Sequence, residues 1–274
     1  MRDLLSKLIG GEHLSSEETR WAFEQIMSGT AEPVAVGGLL AVLACRGPAS
    51  SELVGAASVM REKSRKIDAS DFDHVLDTCG TGGDVTGTFN ISTTAALIAA
   101  AAGVTVVKHG NRSASSKSGS ADVLERLGVY LDAPTQVERK CLEDAGICFA
   151  FARSHHPAMR HVAEIRKKLG VPTLFNLLGP LTNPGDAGYQ LLGVFAPQLT
   201  ELIAHTLHEL GTKRAWVVHG LTGLDELSTL GPTQISELKD GSVSTWTLDP
   251  TELGLQPAKL EDLQVDGPAA SAAT

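Results

Sequence analysis

VLDTCGTGGDVTGTFNISTTAALIAAA, residues 75–101, decides the fold: a short apolar run, a cluster of three glycines, and an alanine-rich stretch too long for one strand. The apolar run predicts a strand over His74 to Thr78, and the alanine-rich stretch predicts a helix from Ser92 to Ala102, stopped by Gly103. Strand, glycine turn and helix in that order open a βαβ unit, so the sheet is expected to be mainly parallel. Downstream the alternation continues. Strands are expected at Val104 to Val107, Ile147 to Phe151, Gln190 to Phe195 and Ala215 to Val218, and helices at Ala121 to Leu127 and Pro134 to Ala145. Gly128 and Gly146 stand at the helix stops and Pro134 at a helix start. A further helical stretch, Pro157 to Leu169, is followed by the turn-rich PTLFNLLGPLTNPG. Upstream nothing reads as a strand: helices are expected at Asp3 to Ile9, Ser16 to Met27, Pro33 to Cys45 and Ser51 to Lys66, and Ser15 with Glu18 forms a capping-box signature. The expected fold class is α/β. A small helical domain covers 1–71, with 157–186 contributing to it, and a larger α/β domain covers 72–156 and 187–274 around a mainly parallel central sheet.

Composition narrows the function classes. A chain of 274 residues with 42% hydrophobic content buries a substantial core, and a formal charge of −9 argues against a nucleic-acid or anionic-membrane surface. An anionic ligand must therefore be held by a local basic pocket. No apolar run reaches membrane-spanning length and the amino terminus is a charged amphipathic stretch, so the cytoplasm is the expected address. With 4% aromatic content, base stacking on an aromatic platform is not expected. Cys45, Cys79, Cys141 and Cys148 form no CxxC pair and each lies in or beside an apolar segment, which reads as four buried free thiols.

Glycines between a strand and a helix let backbone N–H groups converge on phosphate oxygens while the positive helix end attracts the charge. Gly80, Gly82 and Gly83 sit at that position, and Asn90, Ser92 and Thr93 place polar side chains at the following helix start. The loop is not a P-loop, since no Lys-Ser/Thr follows, and GTGGD lacks the GxGxxG spacing of a dinucleotide site. Asp84 does not itself bind phosphate; a ribose hydroxyl, loop orientation and metal-bound water are the roles left open. The second strand runs into KHGNRSASSKSGSADVLERLG, with Lys108, His109, Asn111 and Arg112 together and Ser120 at the next helix start. In a parallel sheet both loops emerge at carboxyl ends of strands, where ligands of open α/β sheets bind. Asp225 and Glu226 follow a third strand. Adjacent carboxylates there suit Mg²⁺, which takes one or two carboxylates, waters and phosphate oxygens, although an isolated Asp-Glu pair is more often an exposed acidic turn.

His155, His156 and His161 suggest zinc only superficially, because no Cys or acidic partner completes a ligand spacing. In the expected helix Pro157 to Leu169, Ala158, Val162, Ile165 and Leu169 line one face and leave Arg166 on its flank. Arg166 is then either a solvated surface residue or a guanidinium that forks onto a substrate carboxylate.

Taken together, DTCGTGGD, NIST at Asn90 to Thr93, KHGNR at Lys108 to Arg112, SGSADVLERLG, HHPAMRHVAEIRKKLG, FNLLGPLTNP and GLDELS resemble anthranilate phosphoribosyltransferase, in family order over nearly the whole chain. The resemblance implies a nucleoside phosphorylase/phosphoribosyltransferase-like fold, a homodimer through the helical domain, and a reaction between anthranilate and phosphoribosyl pyrophosphate in tryptophan biosynthesis. It implies that Gly80, Thr81, Gly82, Gly83, Asp84, Thr88, Asn90, Ser92, Thr93, Lys108 and Ser120 bind phosphoribosyl pyrophosphate. By the same resemblance Gly80, His109, Asn111, Arg166 and Pro180 meet anthranilate, and Ser92, Asp225 and Glu226 hold Mg²⁺. No covalent nucleophile or general base is expected; charge neutralisation and positioning carry the chemistry. Family chains continue beyond the segment resembling LDPTELGL with further strand and helix elements, so an open sheet edge and exposed apolar surface are expected. The competing readings are a nucleoside phosphorylase-like enzyme and a non-catalytic nucleic-acid-binding paralogue. KHGNR and LGPLTNP count against the first, the acidic balance and the Asp225–Glu226 pair against the second.

Overall fold

The computed structural model describes residues 1–83, 86–113 and 118–274. Four helices come first: α1 (Arg2–Ile9), α2 (Ser16–Met27), α3 (Pro33–Arg46) and α4 (Ser50–Glu62). Ser15 and Glu18 close a reciprocal capping box on α2, and Pro33 occupies the first turn of α3. Helices α2 and α4 approach closely at Gly55, where a Cβ would lie 2.3 Å from the Ser16 carbonyl oxygen. Glu52, fully buried, ties the bundle together: its carboxylate accepts from the Leu14 and Ala49 N–H groups, and both its oxygens accept from Arg46 Nη2.

The remaining elements are β1 (Val75–Gly80), α5 (Ile91–Ala101), β2 (Thr105–Gly110), α6 (Ser120–Arg126), α7 (Thr135–Ala145), β3 (Ile147–Phe151), α8 (Ala152–His155), α9 (Arg160–Leu169), α10 (Phe175–Leu178), β4 (Tyr189–Gly193), α11 (Leu199–Glu209), β5 (Arg214–Gly220), β6 (Thr233–Lys239), β7 (Ser242–Leu248), α12 (Leu260–Leu263) and α13 (Pro268–Ala273). Among the described residues seven strands form one sheet in the order β3-β2-β1-β4-β5-β6-β7, parallel from β3 to β5 and antiparallel through β6 and β7. The chain builds outward from β1 to β3, then crosses back to place β4 on the other side of β1. That reversal is the topological switch point, and its ligand crevice lies at the carboxyl ends of β1 and β4.

The central strands are largely buried, and β1, β2 and β4 carry the buried polar residues Asp77, Lys108 and Gln190 among apolar ones. Helix α11 covers one side of β5 and β6, and its buried Ile203, Ala204 and Leu207 join Leu192, Val217 and Leu238 in a core continuous with Phe23, Leu39 and Leu53 of the first helices. Helix α9 packs on α2 and α3, and α10 on α4, so residues between β3 and β4 return to the helical bundle. Phe175 of α10 meets Phe23 with ring centroids 5.4 Å apart.

Several expectations require correction. The helix expected from Pro157 to Leu169 is a 3-10 turn, Pro157–Met159, followed by α9, with a separate short helix, α8, before it; the proline sits at the start of the 3-10 turn and cannot continue α8. Cys45 and Cys141 are exposed, while Cys79 and Cys148 are buried. An apolar neighbourhood in sequence does not set the rotational phase of a helix, and these two cysteines fall on outward faces of α3 and α7. Helix α11 and the hairpin of β6 and β7 were not expected. In β7 most positions are exposed, which removes the alternation that would have marked it.

Candidate active site

Gly80 and Gly193 end β1 and β4 and pair with each other across the switch point. Over this pair lies the turn after β5 that carries Asp225. A Cβ on Gly193 would sit 1.6 Å from the Asp225 carbonyl oxygen, and one on Gly80 would sit 3.1 Å from Asp225 Oδ2. The two glycines therefore make the floor on which the acidic turn rests. Gly83 has φ of 99°, open to glycine at little cost, and lies against Phe195 just beyond β4. Thr81 N–H donates to the Gly193 carbonyl at 2.9 Å, and Thr81 Oγ1 accepts from Phe195 N–H at 3.2 Å. Asp84 lies outside the described residues.

The Glu226 carboxylate caps α5. Its Oε1 accepts the Ser92 N–H at 3.2 Å and the Ser92 hydroxyl in a short hydrogen bond. Thr78 Oγ1 reaches the Ser92 carbonyl at 2.7 Å, so the end of β1 and the start of α5 are stitched directly. Asp225, Glu226 and Ser92 thus gather at the carboxyl ends of β1, β4 and β5. Among the described residues no cluster of three or more His, Cys, Asp and Glu could hold a metal. Two carboxylates and a hydroxyl over a glycine floor are hard oxygen donors, and they fit Mg²⁺ that completes its shell with waters and ligand oxygens; they fit a softer metal poorly.

Lys108 enters from β2. The residue is 3% exposed, and its ammonium donates one hydrogen to the Thr78 carbonyl at 2.7 Å, leaving two donors with no acceptor among the described residues. Burial pushes Lys108 below the ordinary lysine range, opposed by the nearby charges of Asp77 and Glu226. Burial likewise pushes the Asp77 carboxyl above the usual carboxylate range, with Lys108 pulling it down. Asp77 Oδ1 accepts the His109 N–H at 3.0 Å and so fixes β2 against β1. Burial also raises the Cys79 thiol well above the ordinary value, which leaves it a packed thiol with no nucleophilic character.

His109 faces the turn Gly179–Leu181. Its Nδ1 lies 3.1 Å from the Gly179 carbonyl, which can only accept, so the ring carries its proton on Nδ1. Nε2 of the neutral ring faces His156 Nε2 at 3.2 Å. Pro180 is buried in the same turn, its carbonyl accepting from Gln190 at 2.9 Å. The other histidines turn elsewhere, His155 to Glu138 and the Arg65 carbonyl and His161 toward Gly29, so no zinc site forms among them.

Asn111 is exposed; its Oδ1 accepts the Arg112 N–H, and its carbonyl accepts from Ala121 N–H and Ser120 Oγ. Arg112 pairs with Asp122 and Glu125 and is a loop clamp. Arg166 is half-buried on α9, its guanidinium 5.2 Å from the Phe175 ring centroid, with no carboxylate paired to it among the described residues. Burial lowers its pKa from the ordinary arginine value. No contact joins Arg166 to His109 or Asn111; the link runs through α10, which leads from Phe175 into the Gly179–Pro180 turn. Asn90 and Ser118 join the two loops: Asn90 Nδ2 donates to the Ser118 carbonyl at 3.3 Å, and Ser118 Oγ donates to Asn90 Oδ1 at 2.8 Å. Thr88 forms an isolated antiparallel bridge with Gln264, and Thr93 is buried in the first turn of α5.

Thr78, Ser118 and Gly193 were missed by sequence reading. Gly193 ends a strand, which was a usable sign; Thr78 and Ser118 carry none, since their roles depend on contacts with the start of α5 that exist only in the folded chain. A cavity of about 490 Å³ lined by Lys66, Phe72, Tyr189 and Lys213 opens at the opposite, amino-terminal ends of β1 and β4, away from the side on which such sheets bind ligands.

Comparison with known proteins follows the same division. Residues 72–274 match the a/b domain of the glycosyl transferase family, and residues 2–64 match that family's helical bundle domain. Anthranilate phosphoribosyltransferase of Rhodospirillum rubrum is 50% identical over 272 residues, 99% of this chain and 78% of that protein. The enzyme of the same name from Syntrophobacter fumaroxidans is 50% identical over 272 residues, 99% and 80% of the two chains. Among solved structures, anthranilate phosphoribosyltransferase from Thermus thermophilus superposes with a TM-score of 0.90 at 46% identity, covering 98% of this chain and 80% of that one. The Saccharomyces cerevisiae enzyme in complex with PRPP and Mg superposes with a TM-score of 0.87 at 30% identity, covering 98% and 77%. A two-part match along the chain, joined to a switch-point site built from glycines, lysine and paired carboxylates, places this chain in the anthranilate phosphoribosyltransferase family.

Proposed function

We propose that this chain transfers the phosphoribosyl group of phosphoribosyl pyrophosphate to the amine of anthranilate, giving N-(5-phosphoribosyl)anthranilate and pyrophosphate, in tryptophan biosynthesis. The observation that carries this reading is the meeting of Ser92, Asp225, Glu226 and Lys108 at the carboxyl ends of β1, β2, β4 and β5. The Gly82–Gly83 turn offers backbone N–H groups to the pyrophosphate, and Lys108 brings from below the two ammonium hydrogens that have no acceptor among the described residues. Thr81, Thr88, Asn90, Thr93 and Ser120 surround the sugar phosphate, with Asp84 assigned to the same loop. Ser92, Asp225 and Glu226 would hold Mg²⁺, which when bound supplies positive charge to the departing pyrophosphate.

In the reaction the bond from the anomeric carbon to the pyrophosphate oxygen breaks, and its electron pair leaves with pyrophosphate. The amine nitrogen forms the new bond from the opposite face, and its surplus proton passes to solvent. His109, with Nε2 facing His156, orients the anthranilate path beside Gly80, Asn111 and Pro180. Arg166 takes the carboxylate: stacked on Phe175 and without a protein partner among the described residues, it is a half-buried cation ready for an anion. No side chain is assigned as general base or nucleophile.

Among the described residues no helix is long and apolar enough to cross a membrane. We place the enzyme in the cytoplasm as a homodimer, with residues 157–186 belonging to the helical unit. Exposed Ile9, Trp21 and Val34 on the first three helices supply the apolar dimer face. The test of function is loss of anthranilate fluorescence on mixing the chain with phosphoribosyl pyrophosphate and Mg²⁺. Metal-dependent loss is expected; phosphate-dependent release of free base from nucleosides, without anthranilate turnover, would overturn the reading.

A further inference from the structure

We propose that Ser271 is a positioning residue for the donor site, acting through Asn90. This rests on the assignment of Asn90 to phosphoribosyl pyrophosphate. An asparagine at a helix N-cap normally turns its side-chain oxygen back onto the first-turn N–H groups. Asn90 occupies that position on α5 and makes no such bond. Its Oδ1 instead accepts from two hydroxyls, Ser118 at 2.8 Å and Ser271 at 2.9 Å, while its backbone N–H donates to Ser271 Oγ at 2.9 Å. Nδ2 donates to the Ser118 carbonyl. The amide is therefore held in one orientation, and one of its two Nδ2 hydrogens has no acceptor among the described residues. That hydrogen is available to a ligand oxygen.

Ser271 belongs to α13, which packs against α6, and is itself buried. The segment just before it grips the returning arm of the glycine loop. Phe89 N–H donates to the Leu263 carbonyl at 2.9 Å, Val265 N–H to the Gly87 carbonyl at 3.0 Å, and Gln264 Nε2 to the Thr86 carbonyl at 2.8 Å. Residues 86–90 are thus set by a strap 181 positions away in sequence at its Ser271 contact, and among the described residues Ser271 is the strap side chain that reaches the Asn90 amide. A hydroxyl lost there frees Oδ1 from one of two partners and unpins the backbone N–H, so the amide samples orientations in which Nδ2 no longer meets the ligand.

The experiment compares steady-state kinetics of Ser271→Ala, Ser271→Cys, Ser271→Thr, Asn90→Ala and the Ser271→Ala/Asn90→Ala double variant in the full chain, with melting temperatures alongside. Ser271→Ala should raise the donor KM about five- to tenfold, the scale of one or two lost hydrogen bonds, with the anthranilate KM unchanged. Ser271→Cys, close in size but a poor partner, should move the same way, Ser271→Thr should restore the donor KM, and the double variant should equal Asn90→Ala. An unchanged donor KM in Ser271→Ala beside a raised one in Asn90→Ala overturns the strap's role and leaves the site intact. An additive double variant, or parallel loss on both substrates tracking a fall in melting temperature, also overturns it. An unchanged donor KM in Asn90→Ala removes Asn90 from the donor site and the proposal with it.

Discussion

Arg166 separates binding from folding most cleanly among the individual residues. Its guanidinium has a ring beneath it and no carboxylate beside it among the described residues, so its loss should cost the substrate more than the protein. Arg166→Ala is expected to raise the anthranilate KM about 10- to 100-fold, the scale of a charge-assisted pair, with the donor KM nearly unchanged. Equal effects on both substrates would reject the assignment. The metal assignment is tested the same way: Ala at both Asp225 and Glu226 should raise the Mg²⁺ concentration for half-maximal rate, and an identical magnesium titration would remove both from the site. His156 gives a stability prediction. Burial, with His155 second, pushes it down to about 4 from an ordinary 6.5. The unfolded chain therefore takes up a proton before the folded one does, so this contribution is whole above pH 6.5 and is lost as pH falls toward 4. Urea unfolding of the wild type should lose about 2 kcal/mol from this residue between pH 7 and pH 5. His156→Gln should flatten that slope, and an unaltered slope would show that His156 titrates elsewhere. Residue types at the site were legible in sequence: glycines after a strand, a lysine at a strand end and adjacent carboxylates. The bonds from Glu226 to Ser92 and from His156 to His109 were not, because they span 134 and 47 positions and exist only once the strands are ordered.

Between elements, the decisive contact is that of β4 with the turn after β5. Because a Cβ on Gly193 would fall 1.6 Å from the Asp225 carbonyl, the acidic turn sits where it does only if β4 ends in glycine. Gly193→Ala should impose about 1–3 kcal/mol of overpacking and displace Asp225 from Gly80. Its donor kcat/KM should fall by more than its melting temperature explains; a variant with normal magnesium dependence and kinetics would show that the turn tolerates the shift. Helix α5 illustrates the limit of pattern reading. Its alanine-rich sequence and approximate span were clear from residues 91–102, but its cap is a glutamate from beyond β5, and its nominal capping side chain, Asn90, points away. Strands β1 to β5 were visible as short apolar runs, whereas β7 was hidden by its mostly exposed positions.

Across the whole molecule, the helical bundle and the sheet share one apolar core running from Phe23 through Leu178 to Leu192 and Val217. The two parts are expected to unfold together. Trp21 lies in α2, while Trp216 and Trp246 meet edge to face on β5 and β7, so a Trp21→Phe variant reports the sheet alone by fluorescence. Its transition should coincide with the far-ultraviolet circular dichroism of all the helices; separate midpoints would mean independent domains. If the first three helices form the dimer face, Val34→Asp should move the sedimenting species from dimer to monomer, and an unaltered dimer would locate the interface elsewhere. The sequence by itself determined the class of fold, the glycine loop between a strand and a helix, and the family, because those depend on local periodicity, turn chemistry and motif order, which are written along the chain. Only the tertiary structure decided that β4 returns to the side of β1, that Gly80 meets Gly193 under Asp225, and that Ser271 holds Asn90. Those are choices of strand order and side-chain partner, set by how all the elements can be packed at once rather than by any stretch of residues alone.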